Sequence, residues 1–486
     1  MQDLRLDGLC FSYGQTELFH DLTASFPSGW TGIVGANGSG KTTLMHLIRG
    51  ALRPSAGVID TRGMSVHYSS QEPTQPDESL RRFDAQWDRV AFRLRARLQL
   101  GDGELDRFDT LSPGERKRWQ IASALHAAPD VLLLDEPTNH LDARSNTLLG
   151  EALARYRGIG ILVSHDRTLL DRLCHHILRI EGGRAHVGVG NYSCCLDRWH
   201  REERGQRERD EQLAQQETKA RRALDRARRN QEAAQGRLST RRRMKGPKDT
   251  DARSSAAKAR ARNGAAKRSL ELRGRRRHLE DIEEARRDLG LRRRRGRSIV
   301  MPSAPCPVDP LLGLEQGLLR RGSRTLFEHP ALQLGRSQRI HLRGANGSGK
   351  TTLLERLISS APARRAQLLY VPQLLPPRPI EGIDTKTAHI LAALGVDPSA
   401  LSRSPAPSPG ERRKLAIAEG IARGVWAIIM DEPTNHLDLP AIERLEEALS
   451  AFSGALLLVT HDERLAARLC DVTWEIVEAT LQIKPV

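Results

Sequence analysis

The sequence predicts an α/β fold built twice on one polypeptide, the copies separated by a long helical hairpin, and three observations carry that expectation. Gly35-Ala36-Asn37-Gly38-Ser39-Gly40-Lys41-Thr42-Thr43 recurs unchanged as Gly344 through Thr352, and repetition of this kind marks a duplicated domain. Continuous apolar runs end at acidic residues in matching places of both copies, as buried parallel strands do. Between the copies lies a stretch rich in Arg, Ala, Glu, Gln and Leu, residues that favour helix.

The first copy spans residues 1–192 and the second 308–486, which leaves 193–307 as an insert. In each copy a short strand, Thr31–Val34 or Arg339–Leu342, feeds the glycine-rich loop. Val131–Leu134 and Ala427–Met430 are unbroken apolar runs before acids. Ile159–Val163 and Leu456–Val459 supply a third strand, each followed at the second position by a histidine. Within the insert, 198–238 and 254–291 contain no proline, so two long helices are expected. At 1.5 Å per residue, roughly 40 residues reach about 60 Å. Between them Ser239 to Asp249 combine Gly246 and Pro247 with Arg241, Arg242, Arg243, Lys245 and Lys248, which reads as a basic hairpin tip.

Charge is distributed unevenly over the 486 residues. The chain carries a net charge of +17, and 198–297 alone holds 34 Lys and Arg against 16 Asp and Glu, a net +18. The insert therefore contains the whole excess, and a polyanion is the partner such a charge favours. No run of 18 apolar residues is present, and the N-terminus lacks the basic and apolar regions of a signal peptide. A cytoplasmic protein is expected. Six cysteines sit at no zinc or redox spacing and read as reduced packing residues.

The repeated loop has the pattern G-x-x-x-x-G-K-[ST], in which glycines turn backbone N–H groups toward phosphate oxygens at a helix N-terminus. Gly35, Asn37, Gly38, Ser39, Gly40 and Thr43, with Gly344, Asn346, Gly347, Ser348, Gly349 and Thr352, would cradle the triphosphate of ATP. Lys41 and Lys350 would reach its β- and γ-phosphates, and Thr42 and Thr351 would ligate Mg²⁺. Asp135 and Asp431, ending apolar strands, would hold the same metal. Glu136 and Glu432 follow directly, with side chains pointing to the opposite side of the strand, as bases for the attacking water.

Two further repeats keep the same order: Ser112-Pro113-Gly114-Glu115-Arg116 returns as Ser408-Pro409-Gly410-Glu411-Arg412, and Asp135 through Asp142 as Asp431 through Asp438. On these residues the chain resembles the ABC ATPases, a superfamily of P-loop NTPases. The resemblance implies that Ser112, Gly114 and Glu115 of one cassette, and Ser408, Gly410 and Glu411 of the other, form signature motifs. Each would meet the γ-phosphate on the opposite cassette's glycine loop, so the two copies would pair within one chain. Proline replaces the usual first glycine, and at a first helical position it costs no hydrogen bond. Gln71 and Gln373 match the Q-loop that touches the metal, and His165 and His461 match the switch histidine. Tyr13 matches the aromatic that stacks on adenine; its counterpart is Arg321, whose guanidinium can also lie on a purine, so unequal sites are expected.

A closer resemblance is to the ABC-F family, carried by paired Asp-Glu-Pro-Thr-Asn-His-Leu-Asp motifs, Ser164-His165-Asp166-Arg167, Gly190-Asn191-Tyr192-Ser193 and the charged two-helix insert. It implies a hairpin that enters the ribosomal tRNA exit site near peptidyl-tRNA, contacting rRNA and tRNA through Arg241, Arg242, Arg243, Lys245 and Lys248, to regulate translation or protect against ribosome-targeting antibiotics. Spacings of about 70 residues from Lys41 to Ser112 and about 60 from Lys350 to Ser408 leave no room for the arm insertion of some members. Two other readings are an ATPase subunit of an ABC transporter and a DNA-associated ABC-type ATPase. The first needs membrane subunits, which the ABC-F resemblance does not imply, and gives no reason for a basic hairpin between cassettes; ATPases of the second kind usually carry far longer coiled coils or zinc modules.

Overall fold

A computed structural model of the chain describes residues 3–14, 16–71, 75–139, 141–237, 255–288, 306–376, 380, 382–404, 407–435 and 437–485. Two compact units are found: Met1–Cys195 with Arg295–Val486, and Leu196–Arg294. The first contains both copies. Among the described residues no helix is long and apolar enough to cross a membrane.

The first copy contains β1 (Leu4–Tyr13), β2 (Thr16–Phe26), β3 (Gly29–Gly35), β4 (Ala56–Asp60), β5 (Val66–Ser69), β6 (Val131–Asp135), β7 (Ile159–Val163), β8 (Cys174–Glu181) and β9 (Arg184–Val189). The main sheet has the order β5-β6-β7-β3-β8-β9, parallel except at β9. Its fully buried β6 and β7 are the apolar runs expected as parallel strands. A separate antiparallel sheet, β2-β1-β4, covers the glycine-loop helix Lys41–Ile48, and one core joins them through Phe19, Phe26, Leu44 and Leu133. Helices Glu78–Asp84, Arg89–Leu98 and Pro113–Ala127 pack into a second cluster around Trp119 and Phe83.

The second copy contains β10 (Leu312–Leu314), β11 (Gly317–Arg321), β12 (Arg324–His329), β13 (Leu332–Leu334), β14 (Arg339–Gly344), β15 (Leu368–Val371), β16 (Ala427–Asp431), β17 (Ala455–Val459), β18 (Val472–Val477) and β19 (Thr480–Pro485). Here the β11-β12 hairpin joins the main sheet through β19, giving the order β11-β12-β19-β18-β14-β17-β16-β15. The middle of each sheet is the same: the loop-bearing strand lies beside the histidine strand, which lies beside the acid strand. The crevice at the carboxyl ends of such strands is where α/β sheets bind ligands.

The second unit contains helix Tyr192–Arg237, of 46 residues, from Leu196 onward, and helix Ser255–Asp288, of 34 residues. They are the two long helices expected, and they are tied by Arg221–Glu283, Arg286–Asp210 and Arg286–Glu217 ion pairs at 2.8–2.9 Å. The first begins six residues earlier than its composition suggested. Asp171 accepts from Ser193 N and Asn191 from Cys194 N, at 2.7 and 3.0 Å, satisfying N–H groups that the helix itself leaves unpaired. The expected basic tip, with Arg241, Arg242, Arg243, Lys245 and Lys248, lies outside the described residues.

Candidate functional site

Each glycine loop leaves its strand and turns into a helix at a glycine that must be a glycine. Gly40 and Gly349 have φ of 96° and 102°, a left-handed conformation that L side chains rarely adopt. A Cβ there would also lie 2.6 Å from Phe19 and 2.9 Å from Leu326, which bring the neighbouring β-hairpin onto the loop. Lys41 Nζ donates to the carbonyls of Gly35 and Ala36, and Lys350 Nζ to those of Gly344 and Ala345, at 2.7–3.1 Å. Burial lowers the pKa of both lysines. The hydroxyls of Ser39 and Ser348 are buried in the loops without a hydrogen-bond partner.

Sheet register brings the acids to these loops. Asp135 pairs with Val163 and Asp431 with Val459 across parallel strands, so the residues just beyond, Glu136 with His165 and Glu432 with His461, emerge side by side. Thr42 Oγ1 donates to Asp135 at 2.8 Å and Thr351 Oγ1 to Asp431 at 2.6 Å. Neither glutamate continues its strand: φ is 46° at Glu136 and 52° at Glu432. Left-handed non-glycine residues cost about 1–3 kcal/mol and cluster at functional sites. The divergence of acid and glutamate expected from strand alternation is thus made by a turn. His165 and His461 Nε2 lie 3.2 and 3.3 Å from Glu136 and Glu432 Oε1.

Burial shifts all four groups toward neutrality. Glu136 and Glu432 are raised to about 8, burial first; the adjacent Asp135 and Asp431 add to this, and Lys41 and Lys350 oppose it. His165 is lowered to about 3 and His461 to about 4 by burial, with Lys41 and Lys350 adding to it.

The signature segments begin helices Pro113–Ala127 and Pro409–Ala422. Ser112 and Ser408 are N-caps with Glu115 and Glu411 in reciprocal capping boxes, and Pro113 and Pro409 occupy the first helical position, as anticipated. A cavity of about 600 Å³ is lined on one side by Ser112, Gly114 and Glu115 and on the other by Asn346, Gly347, Gly349, Lys350, Thr351 and Thr352. The second cassette adds Asp431, Glu432, His461, Gln373 and Arg321 to its wall, and the first adds Glu136, Asp142, Asn146, His165 and Asp166. One cassette's signature therefore faces the other's glycine loop. At the first loop, Asp438 of the second cassette accepts from Asn37 N at 2.9 Å. Tyr13 ends β1, half exposed and edge-on to Phe11 at 4.9 Å.

Two residues were not anticipated from sequence. Lys117 and Arg413, two positions beyond the signature glutamates, are buried and bridge the Q-loop backbone to the end of the acid strand. Lys117 Nζ donates to the carbonyls of Ser70 at 2.5 Å and Gln71 at 3.2 Å. Arg413 donates to those of Gln373 at 2.6 Å, Pro372 at 3.2 Å and Glu432. A cation at the same offset in both repeats was the available signal. The side chains of Gln71 and Gln373 are exposed, and Gln373 lines the cavity.

A sequence family described as "ABC transporter" matches residues 19–139. Along almost its whole length the chain is 29% identical to the tylosin resistance ATP-binding protein of Streptomyces fradiae, covering 98% of each. Along almost its whole length the chain thus resembles the ABC-F proteins, which are tandem ABC ATPases. Other relatives include the ribosome protection protein of Bacillus subtilis, 28% identical over 94% of this chain and 83% of that one. The energy-dependent translational throttle protein of Escherichia coli (strain K12) is 25% identical, covering 92% and 87%. In fold it is similar to an archaeal ribosome recycling factor solved with a ribosomal stalk protein, with a TM-score of 0.62 at 18% identity, covering 98% of this chain and 89% of the other.

Proposed function

We propose that this protein is an ABC-F ATPase that acts on the ribosome: ATP pairs its cassettes (1–192 and 308–486), the paired state holds the linker (193–307) against ribosomal RNA and tRNA, and hydrolysis releases it. The observation that carries the reading is the cavity where Ser112, Gly114 and Glu115 face the glycine loop of Lys350. A triphosphate there would touch both cassettes, so nucleotide would bind the closed state better than the open one, the condition for driving a conformational change. The relatives' names, which speak of ribosome protection, translational throttling and resistance to tylosin and erythromycin, support the destination. So does the net +18 of residues 198–297, since cations displacing counterions from phosphates supply affinity for RNA. Arg241, Arg242, Arg243, Lys245 and Lys248 would make those contacts.

In each site the loop N–H groups and Lys41 or Lys350 would hold the phosphates, and the opposite signature serine would meet the γ-phosphate. Tyr13 would stack on adenine in the first site and Arg321 would lie on it in the second. Thr42 with Asp135, and Thr351 with Asp431, present paired oxygen donors suited to Mg²⁺, to which Gln71 and Gln373 would add. Among the described residues no cluster of three or more His, Cys, Asp or Glu could hold a metal alone, so phosphate oxygens would supply further ligands. Bound Mg²⁺ would neutralise phosphate charge and favour the ionised glutamate. Glu136 or Glu432 takes a proton from the water that attacks the γ-phosphorus, ADP leaves, and His165 or His461 orients the glutamate.

The test is a Glu136→Gln, Glu432→Gln variant, which should bind ATP, remain closed and co-sediment with ribosomes only when ATP is present. Recovery of that variant in the ribosome-free fraction with ATP would refute the proposal. Comparing the drug susceptibility of a deletion strain with its translation rate separates protection from regulation.

A further inference from the structure

The two switch histidines are held by neighbours of different origin. Each is followed by an aspartate that caps the next helix: Asp166 Oδ1 accepts from Leu169 N at 2.9 Å and Asp462 Oδ1 from Leu465 N at 3.0 Å. The difference lies at the second carboxylate oxygen. In the first cassette Oδ2 of Asp166 accepts from the side-chain amide of Asn146 of the same cassette. In the second cassette the residue equivalent to Asn146 is Ile442, which has nothing to donate. Oδ2 of Asp462 is met instead by Arg167 of the opposite cassette, at 2.8 Å.

Arg167 is 4% exposed, and its other terminal nitrogen donates to Glu446 Oε2 at 2.6 Å. Glu446 lies on helix Leu439–Ala451 of the second cassette and is also paired with Arg468 at 2.8 Å. One guanidinium from the first cassette therefore clamps two elements of the second. Arginine suits this because its planar fork presents parallel donors to two carboxylates. The repeat does not reproduce the clamp. The residues equivalent to Arg167 and Glu446 are Glu463 and Gly150, and among the described residues no ion pair joins the second cassette to Asp166.

The cavity is completed by cassette 1, the cassette that also supplies Arg167. We infer that Arg167 is a positioning residue acting across the cassette interface on the second ATP site: it fixes Asp462, and through the adjoining backbone holds His461 against Glu432. The first site has a substitute within its own cassette, Asn146. Orientation of the catalytic pair is therefore intrinsic in the first site and depends on cassette engagement in the second. The second site hydrolyses ATP only when the halves are joined, even if nucleotide is already on its loop. The inference rests on Glu136 and Glu432 each serving its own site, and is independent of any ribosomal role.

The experiment measures steady-state ATP hydrolysis in two parents, Glu136→Gln, where only the second site turns over, and Glu432→Gln, where only the first does. Parents as fast as the unsubstituted chain would mean that the glutamates are wrongly assigned, an error distinct from one about Arg167. Arg167→Ala should lower kcat roughly 10- to 100-fold in the second-site parent, the range expected for a small misplacement of a reacting group. KM should change little, and the first-site parent should retain its kcat. Asn146→Ala should give the reverse. Arg167→Lys should restore part of the second-site rate. If Arg167→Ala does not fold, Asp462→Asn, which keeps the helix cap and loses the charge, should show the same site-selective loss. Equal loss at both sites, as a merely structural clamp would give, or no loss at either, overturns the inference.

Discussion

In the nucleotide-free protein, stability should fall as pH rises from 6 to 8, and replacing Glu136 and Glu432 by glutamine should remove that fall. Both carboxyls are raised to about 8 by burial, with Asp135 and Asp431 adding to it, whereas an unfolded glutamate titrates near 4.3. Between these values the folded chain retains a proton at each glutamate that the unfolded chain has lost. Stability is therefore fully present below about pH 4.5 and is lost as pH rises through about 8. Integrated from pH 6 to 8, at about 1.4 kcal/mol per unit, the loss is about 2 kcal/mol per carboxyl and roughly 4 for the pair. Glutamine has the same shape and no charge to desolvate. Urea unfolding of both proteins in EDTA at pH 6 and pH 8 reads the effect, because other titrating groups cancel in the difference. The variant should gain roughly 4 kcal/mol on the parent between the two pH values. A difference independent of pH, or one that favours the parent more at pH 8 than at pH 6, would refute the burial argument.

Gly349→Ala should lose nucleotide binding at the second site and cost about 1–3 kcal/mol, because φ of 102° and a Cβ 2.9 Å from Leu326 allow no relaxed solution; fluorescent-nucleotide titration and a thermal melt check both. Lys117→Met should leave the Ser70 and Gln71 carbonyls without their buried donor, costing about 1–3 kcal/mol and speeding amide exchange around the first Q-loop; unchanged exchange there would remove the bridging role. Thr351→Ala deletes the hydroxyl that donates to Asp431 at 2.6 Å. In the Glu136→Gln background it should move the Mg²⁺ dependence of hydrolysis to higher concentration, and an unmoved midpoint would take Thr351 out of the metal site.

Much of the site was legible because its chemistry is local. A phosphate loop needs glycines at fixed spacing, and a capping box needs Ser112 and Glu115 three residues apart; such requirements are written in consecutive residues. The same locality exposed the sheet's centre, since unbroken apolar runs such as Val131–Leu134 can only be buried on both faces. Lys117 and Arg413 escaped notice because a basic residue on a helix ordinarily faces water, and only packing of that helix against the Q-loop buries them. Tyr192–Asp197 lies outside the helix that composition predicts because its residues are mostly weak helix formers. The observed start is set by Asp171, some twenty residues earlier in the chain and adjacent only in the fold.

By itself the sequence determined the duplicated α/β plan, the residues of both phosphate loops, the acid–glutamate pairs, the capped signature helices and the concentration of positive charge in the insert. Only the tertiary structure decided which cassette completes which site, that both glutamates adopt left-handed backbone, and that Arg167 of one half is clamped between Glu446 and Asp462 of the other. The division has a physical cause. Phosphate loops and helix caps are satisfied within a few residues, whereas a buried charge is stable only beside a partner, and folding brings that partner from nearly 300 residues away.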